Sequence, residues 1–299
     1  MPELPEVESL KIGLAKFIVG QKIVNIKILM PKIVSGSGTK RKYDTKNIKV
    51  KKLEFENNLL NKKITNIRRR AKNLIVELET NEIILIHLKM TGQLVYVDKK
   101  TAEKQTEKTA EQSPPHKHTH IIFELEKGKM YYNDVRQFGY VLYFKNTEQA
   151  VDAGHFKKIG VEPFDKSFTL KYFRENIQKK NKALKSVLLD QEIVVGCGNI
   201  YADEICFASN VLPSRICKTL TDDETEKIYY NIKLILKNAI KMGGSSISDY
   251  LLADGSRGSY AGLHKVYGRY DMPCIQCKNK LQKSVLAGRT TVFCIMCQK

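Results

Sequence analysis

The first 20 residues alternate apolar and polar positions with the spacing of an amphipathic helix. Val7, Leu10 and Leu14 recur at intervals of three and four residues, which places them on one helical face. Pro5 suits a first helical turn, and Gly20 suits the position just after the last one. The pattern predicts a helix that begins almost at residue 1.

From about residue 22 to residue 144 the apolar residues fall into short runs rich in Ile, Val, Leu, Phe and Tyr, which are typical of β-strands. Eight such runs predict a sandwich or a barrel. A polar stretch at 98–117 ends in Pro114 and Pro115 and predicts a long, mobile loop between two strands. The predicted strands are 23–29, 64–68, 74–78, 83–88, 93–97, 120–125, 129–133 and 140–144.

After Pro163 the spacing of the apolar residues becomes helical, so we expect the second half of the chain to be mainly α. Thr221 is placed to cap the longest helix. Residues 243–262 contain five glycines and five serines with little periodicity, which predicts a flexible loop. The predicted helices are 170–178, 183–189, 200–208 and 222–241.

The chain carries a net charge of +19, which favours a nucleic-acid partner because a basic surface releases the counterions condensed on a polyanion. Lysines outnumber arginines 41 to 10, a bias that also arises from codon usage, so the charge alone favours this partner only mildly. No apolar run approaches the roughly 18 residues of a membrane span, and the N-terminus lacks a secretory pattern. We therefore expect a cytoplasmic protein with no membrane partner.

Two cysteine pairs near the C-terminus have the spacing C-x2-C-x16-C-x2-C, which lets two knuckles bind one tetrahedral Zn²⁺. Four thiolates leave no open position, so we expect one structural zinc per chain that stabilises a small β-hairpin. Arg289 lies between the pairs among several lysines, which suits contact with DNA phosphates. A zinc ribbon that binds protein is the alternative. The predicted ligands are Cys274, Cys277, Cys294 and Cys297.

The residue after the initiator methionine is a proline, so removal of Met1 would leave a secondary amine on Pro2. Such an amine can attack a sugar carbon to give an iminium, which withdraws electrons and so favours elimination. A following helix N-terminus disfavours the ammonium form. The adjacent Glu3 suits a general acid or base if burial raises its pKa against the pull of the same dipole. By itself, a start of Pro-Glu is more typical of an ordinary terminus.

Taken with the cysteine pattern, four segments make the chain resemble the bacterial formamidopyrimidine-DNA glycosylase family. They are PELPEVE at 2–8, RAKNL at 70–74, HLKMTG at 87–92 and GNIYADE at 198–204. They occur in the family's order and span the whole chain. The last of them is similar to the family's helix–two-turns–helix signature.

The resemblance implies roles for individual residues. Pro2 would attack C1′ of the damaged nucleotide, and Glu3 would open the deoxyribose. Lys72 would assist the proton transfers of β-elimination or contact a phosphate, and Arg289 would support δ-elimination and grip a phosphate. Base flipping requires groups that fill the vacated space. The implied DNA contacts are His118, Arg136, Lys180, Asn199, Met90 and Phe138.

Among these DNA contacts, Arg136 would reach the orphaned base, Phe138 would wedge between base steps and Met90 would help to fill the space. Simple core packing is the alternative for Met90 and Phe138. The chain departs from the family at Gln137, where relatives usually have a second arginine, and in the length of its 98–117 insertion.

We therefore predict an α+β protein with an eight-stranded N-terminal β-sandwich flanked by helices. A helical C-terminal domain with the helix–two-turns–helix motif and a four-cysteine zinc hairpin would follow, and DNA would bind in a basic cleft. The predicted domains are a catalytic domain at 1–163, a helical domain at 164–264 and a zinc finger at 265–299.

The predicted activity is excision of 8-oxoguanine and formamidopyrimidines from duplex DNA by a monomer, followed by β,δ-elimination. An endonuclease-VIII-type enzyme for oxidised pyrimidines is one alternative, against which Leu4 argues because those proteins tend to begin Pro-Glu-Gly-Pro. A catalytically silent protein that binds damaged DNA is the other. It would need no combination of Pro2, Glu3 and Lys72.

Overall fold

The computed structural model describes residues 1–35, 48–102 and 114–299. They form two compact units. The first unit contains Met1–Pro2, Glu6–Lys157 and Ser245–Gly258, and the second contains Glu3–Pro5, Lys158–Gly244 and Ser259–Lys299. The boundaries of the three predicted domains stay a prediction. None of the described helices has an apolar stretch that could span a bilayer.

The predicted N-terminal helix is present as α1, Leu4–Ile18. Its apolar stripe, which includes Val7, Leu10 and Leu14, is buried in the core of the first unit. Gly20 has a φ of +87°, a left-handed conformation in which glycine is unstrained, just after the helix ends.

Nine strands form two sheets in the described residues of the first unit. One sheet has the antiparallel order β1-β7-β8-β6, and the other has the order β2-β9-β5-β4-β3, with only β2 and β9 parallel. The strands are β1 Ile23–Ile28, β2 Val34–Ser35, β3 Ile64–Arg70, β4 Asn73–Leu78, β5 Ile83–His87, β6 Gly92–Asp98, β7 Thr119–Leu125, β8 Gly128–Asp134 and β9 Tyr140–Phe144.

Both sheets bury one face in a shared core with α1 and a further helix, α2, Ile48–Leu59. The other face of the five-stranded sheet packs against α4, Thr147–Asp152. All eight predicted strands are confirmed, but the sequence did not predict β2 or α2. The strand β2 has only two residues, and among the described side chains of α2 only Phe55 and Leu59 are buried, between charged neighbours, so neither element has a clear periodicity.

The polar stretch at 98–117 joins β6 to β7, as predicted, but it begins with one helical turn, α3, Lys99–Ala102. Asp98 Oδ1 accepts a hydrogen bond from Lys100 N at 2.9 Å, which fixes the start of that turn. Residues 103–113, on which most of the predicted mobile loop falls, lie outside the described residues.

The second unit is helical, as predicted. Thr221 caps its longest helix in a capping box, because its hydroxyl accepts from Glu224 N at 3.1 Å while the Glu224 carboxylate accepts from Thr221 N at 2.8 Å. Between the second and third helices, the Gln191 side chain bonds Gly196 N and Cys197 O, both at 2.6 Å, and so closes the connecting turns. The helices are α5 Leu170–Ile177, α6 Leu184–Leu189, α7 Asn199–Ala208 and α8 Asp222–Lys241.

The predicted loop at 243–262 has neither helix nor strand up to Ser259 and ends in a 3-10 turn, Tyr260–Leu263. Its middle is bonded to the rest of the first unit. Tyr250 donates its hydroxyl to Glu6 O at 2.9 Å, and Ala253 O accepts from Tyr96 N at 2.7 Å. Its flexibility stays a prediction.

Candidate functional site

Glu3 is 3% exposed, and its carboxylate accepts three backbone N–H bonds at the start of α7. Gly198 N lies 2.6 Å from Oε2, Ile200 N lies 2.9 Å from Oε1, and Tyr201 N lies 3.4 Å from Oε2. The first amides of a helix lack partners within the helix and carry partial positive charge. A Cβ at Gly198 would lie 2.5 Å from Glu3 Oε1, so only glycine permits this approach. These bonds hold the carboxylate in one position.

Pro2 is buried, whereas Met1 is 44% exposed. Because α1 begins two residues later, the nitrogen of Pro2 lies just ahead of a helix N-terminus, as predicted. Its neighbour Glu3 is held rigidly by the amides of α7. The dipeptide therefore places a potential secondary amine directly next to a fixed carboxyl group.

Lys72 is 9% exposed and lies in the turn between β3 and β4. The turn contains Ala71 with a φ of +51°. Arg69 donates from Nη1 to Ala71 O at 2.9 Å and from Nε to Glu8 Oε2 on α1 at 2.7 Å. This arginine therefore ties α1 to the turn that carries the predicted catalytic lysine.

The Glu8 carboxylate makes the first unit more stable at neutral than at acidic pH. Burial raises the pKa of Glu8, but hydrogen bonds from Lys11 and Arg69 lower it further, so the pKa lies below the ordinary value of 4.5. A carboxylate with a lowered pKa stabilises the fold above its unfolded pKa, and this contribution is lost as the pH falls through the folded pKa.

We expect Glu8→Gln to cost about 1–3 kcal/mol of unfolding free energy at pH 7, because the charge-assisted bonds are lost, and much less at an acidic pH below the folded pKa of Glu8. Urea unfolding of the wild type and the variant at both pH values measures this difference, provided that the unfolding is followed by a spectroscopic signal that reports on the first unit. Glu56→Gln is the matched control, because the Glu56 carboxylate lies 3.8 Å from Lys52 on the surface of α2. An equal loss of unfolding free energy at both pH values would contradict the lowered pKa of Glu8.

A fully buried carboxylate, Asp134, joins two segments of the first unit. Its Oδ1 accepts from Thr91 Oγ1 at 2.5 Å, and its Oδ2 accepts from Gly139 N at 2.7 Å. Arg136 N in turn donates to Thr91 Oγ1 at 2.9 Å. The turn before β6 and the loop after β8 are therefore held together by one set of buried hydrogen bonds.

The four predicted DNA contacts of the first unit lie on or beside these joined segments. Arg136 and Phe138 are exposed, and the guanidinium carbon lies 4.7 Å from the ring centroid. Phe138 is 44% exposed, which contradicts simple core packing, and Met90 is half-buried. His118 O accepts from Asp134 N at 3.0 Å. The fold thus brings together planar and apolar groups that the sequence separates.

The uncharged Gln137 is accompanied by a cation in the structure. Its Oε1 accepts a hydrogen bond of 2.7 Å from Nζ of Lys32, which lies on the 3-10 turn Pro31–Ile33. A positive charge therefore stands beside the Arg136 loop although Gln137 itself carries none.

Two predicted DNA contacts lie in the second unit. Lys180 Nζ is 2.9 Å from Glu192 Oε2, an exposed pair that contributes little stability and leaves the ammonium free to exchange partners. Asn199 is the first residue of α7, directly beside the amides that hold Glu3. Its buried Oδ1 has no hydrogen-bond partner in the described part of the chain, so the side chain has unmet bonding capacity.

The four C-terminal cysteines come together in the second unit, with all Sγ atoms within 4.8 Å of one another. The Sγ atoms of Cys277 and Cys294 are 3.4 Å apart, and those of Cys274 and Cys297 are 3.8 Å apart. A tetrahedral site with Zn–S bonds of ~2.3 Å has S–S edges of roughly 3.8 Å. The cluster therefore has the dimensions to hold one metal ion.

The predicted hairpin between the cysteine pairs is formed by β10, Gln282–Leu286, and β11, Arg289–Phe293. Ala287 and Gly288 make the two-residue turn with φ values of +50° and +68°, as in a type I′ turn, where glycine is favoured. Arg289 follows the turn directly and is exposed. The predicted catalytic arginine thus lies at the hairpin tip.

Several buried or partly buried polar residues of the two units were not singled out from the sequence. Asp134 and Arg69 position predicted functional segments, and Lys185 and Asp203 contact the hairpin strand. The available signal was a charge inside an apolar run, as with Lys185 in α6 and Asp203 in α7. Such a charge is rarely buried without a partner.

Two known domain families match most of the chain. Residues 1–141 match the formamidopyrimidine-DNA glycosylase N-terminal domain, and residues 159–250 match the formamidopyrimidine-DNA glycosylase H2TH domain. The formamidopyrimidine-DNA glycosylase of Carboxydothermus hydrogenoformans is 38% identical over 299 residues, which is 100% of both chains. That of Listeria monocytogenes is 37% identical over 300 residues, again 100% of both chains.

Solved structures of relatives are similar over the full length. The Lactococcus lactis Fpg (MutM) in complex with DNA containing N7-benzyl-Fapy-dG has a TM-score of 0.84 and 34% identity, with 100% of both chains covered. A MutM structure in complex with DNA containing carbocyclic 8-oxo-G has the same TM-score, identity and coverage. These matches confirm the resemblance seen in the sequence. The chain belongs to the formamidopyrimidine-DNA glycosylase family.

Proposed function

We propose that this chain is a base-excision repair enzyme that removes 8-oxoguanine and formamidopyrimidines from duplex DNA and then nicks the strand. The observation that carries the proposal is the Pro2-Glu3 pair, a buried proline next to a carboxylate fixed by three backbone amides. Relatives crystallised with DNA that contains Fapy-dG, 8-oxo-G or an abasic site support this substrate class.

In the proposed reaction the nitrogen of Pro2 attacks C1′, and the base leaves with the electrons of the glycosidic bond. Glu3 protonates the ring oxygen as the sugar opens, which leaves an iminium between Pro2 and C1′. Loss of the C2′ proton, assisted by Lys72, then breaks the C3′–O bond. Loss of the C4′ proton breaks the C5′–O bond, with Arg289 on the phosphate.

The proposed DNA contacts fall into two groups by chemistry. Arg136, Phe138 and Met90 provide the planar and apolar surfaces that fill the space of a flipped nucleotide and contact its orphaned partner. His118, Lys180 and Asn199 would bind phosphates, which position the duplex without reading its sequence. The net charge of +19 supports a polyanionic partner.

We also propose that the cysteine cluster holds one Zn²⁺ per chain. The Sγ spacings fit tetrahedral thiolate coordination, and four thiolates would fill it, so the ion would supply structure to the hairpin. The ligands would be Cys274, Cys277, Cys294 and Cys297.

Borohydride trapping tests the proposed chemistry, with a duplex that contains one 8-oxoguanine opposite cytosine and with peptide mapping of the adduct. We expect a covalent adduct on Pro2, and intact-mass measurement should show that Met1 has been removed. An adduct only with an oxidised pyrimidine would favour the endonuclease-VIII-type alternative. No adduct with either lesion would favour the catalytically silent DNA-binding protein.

A further inference from the structure

The second unit contains an ion pair that is closed to solvent. Lys185 on α6 and Asp203 on α7 are both 0% exposed, and Lys185 Nζ lies 2.7 Å from Asp203 Oδ1. Burial raises the pKa of Asp203 to about 6 although Lys185 acts to lower it. Buried ion pairs often add little net stability, so the main effect of this pair is to fix the positions of the groups that it contacts.

Both partners of the pair also bond to the hairpin strand β11. Lys185 Nζ donates to Thr290 O at 3.0 Å and to Thr291 Oγ1 at 2.8 Å, and Asp203 Oδ2 accepts from Val292 N at 3.1 Å. The Lys185 ammonium therefore donates two hydrogen bonds to β11, and its charge is paired with the Asp203 carboxylate. Three consecutive residues of β11 are therefore fixed to α6 and α7.

These three residues directly follow Arg289. Thr291 is 0% exposed, and its hydroxyl lies 3.2 Å from Arg289 O, so the bonded stretch reaches the backbone of the arginine itself. The other end of β11 leads into Cys294 of the metal-binding cluster. The strand is thus held at one end by the cysteines and near its tip by the ion pair.

The same helix that carries Asp203 also holds Glu3. The amides at the start of α7 bind the Glu3 carboxylate, and the next residue after Asp203, Glu204, accepts from Val266 N at 2.9 Å. One helix therefore sets the positions of the carboxylate, the hairpin strand and the segment that precedes the zinc cluster.

We propose that Lys185 and Asp203 are positioning residues for Arg289, which they hold at a fixed position relative to Glu3 through α7. The proposal rests on the proposed function, in which Arg289 supports δ-elimination. The ion pair fixes the position of the hairpin tip. Removal of both charges should therefore displace Arg289, while the metal site and the chemistry of the Pro2 amine remain intact.

The test compares Lys185→Met/Asp203→Leu with Arg289→Ala in the full-length zinc protein. The double variant replaces each side chain with an apolar one of similar shape and leaves no unpaired buried charge, whereas either single change leaves one and risks misfolding. We expect the double variant to bind one zinc. Its yield of trapped Pro2 adduct should be within about twofold of the wild-type yield. Its δ-elimination rate should fall by about 10- to 100-fold, because small displacements of a catalytic group have effects of this size.

Adding Arg289→Ala to the double variant should give the δ-elimination rate of Arg289→Ala alone, because residues that act through one another have non-additive effects. Asp271→Asn is the control, since it removes the exposed ion pair between Asp271 and Lys280 in the same unit. The proposal would be overturned by a double variant with the wild-type ratio of δ- to β-elimination product. It would also be overturned if the losses of δ-elimination rate in the double variant and in Arg289→Ala were additive.

A second measurement separates this proposal from the proposed function. Amide hydrogen exchange at 289–293 in the free protein should be faster in the double variant, with exchange in α8 unchanged. Unchanged exchange at 289–293 would overturn the positioning role. Failure of wild-type protein to give any trapped adduct would instead overturn the proposed function and leave the exchange result to stand on its own.

Discussion

Replacement of Pro2 by alanine is expected to lower the rate of 8-oxoguanine excision by about 100-fold or more, equivalent to about 2.7 kcal/mol of activation free energy. After removal of Met1, the variant would present a primary amine. Its imine must be protonated before it can withdraw electrons, whereas the iminium of proline is permanently charged. Single-turnover excision on lesion duplex, with the affinity measured separately, tests this expectation.

Pro5→Ala is the matched control, because it changes a proline in the first turn of α1 to a good helix former. This control should excise the base at the wild-type rate. A Pro2→Ala protein that also does so would show that the N-terminal amine is not the nucleophile. Loss of DNA affinity in Pro2→Ala would point to a structural role for the proline.

Replacement of Cys294 by serine is expected to release the metal and to weaken binding of lesion DNA by about 100-fold or more, because structural zinc sites supply the folding energy of small domains. Cys294 is 0% exposed and packs with Phe207, Leu281 and Val292, so the hairpin would lose both its metal and its core. Zinc content by mass spectrometry and DNA affinity at one stated salt concentration measure the two losses.

The first unit should remain folded in Cys294→Ser, because its core contains no residue of the cysteine cluster. Cys217→Ala is the control, since Cys217 is also buried but lies in the helical core. It should keep one zinc and wild-type affinity. A zinc-free Cys294→Ser protein with unchanged DNA affinity would show that the hairpin does not depend on the metal for binding.

Elements with a strong local pattern were predicted almost to the residue. The helix at 222–241 was predicted because its apolar stripe and its Thr221 cap both lie within one continuous segment. The strands β4 and β5 were predicted because each is a compact apolar run. By contrast, the described part of α2 buries few side chains and β2 is only two residues long, so the local sequence carried too weak a signal for either element.

The chemistry of the site was predictable only where spacing along the chain is itself the signal. The two cysteine pairs and the opening Pro2-Glu3 are of this kind. The hydrogen bond between Asp134 and Thr91, 43 residues earlier, follows no such spacing, because a buried carboxylate can accept from any donor that the fold brings near. For the same reason the link between Arg69 and Glu8, 61 residues apart, was not foreseen.

Most helices and strands, the four-cysteine cluster and the family could be read from the sequence, because each is encoded by periodicity or by short motifs. The hydrogen bond from Gly198 to Glu3, 195 residues earlier, and the hydrogen bonds of Lys185 and Asp203 to the strand of Arg289 became apparent only from the packed chain. Such contacts depend on which buried polar groups the packed chain leaves to satisfy one another, and that depends on the whole fold.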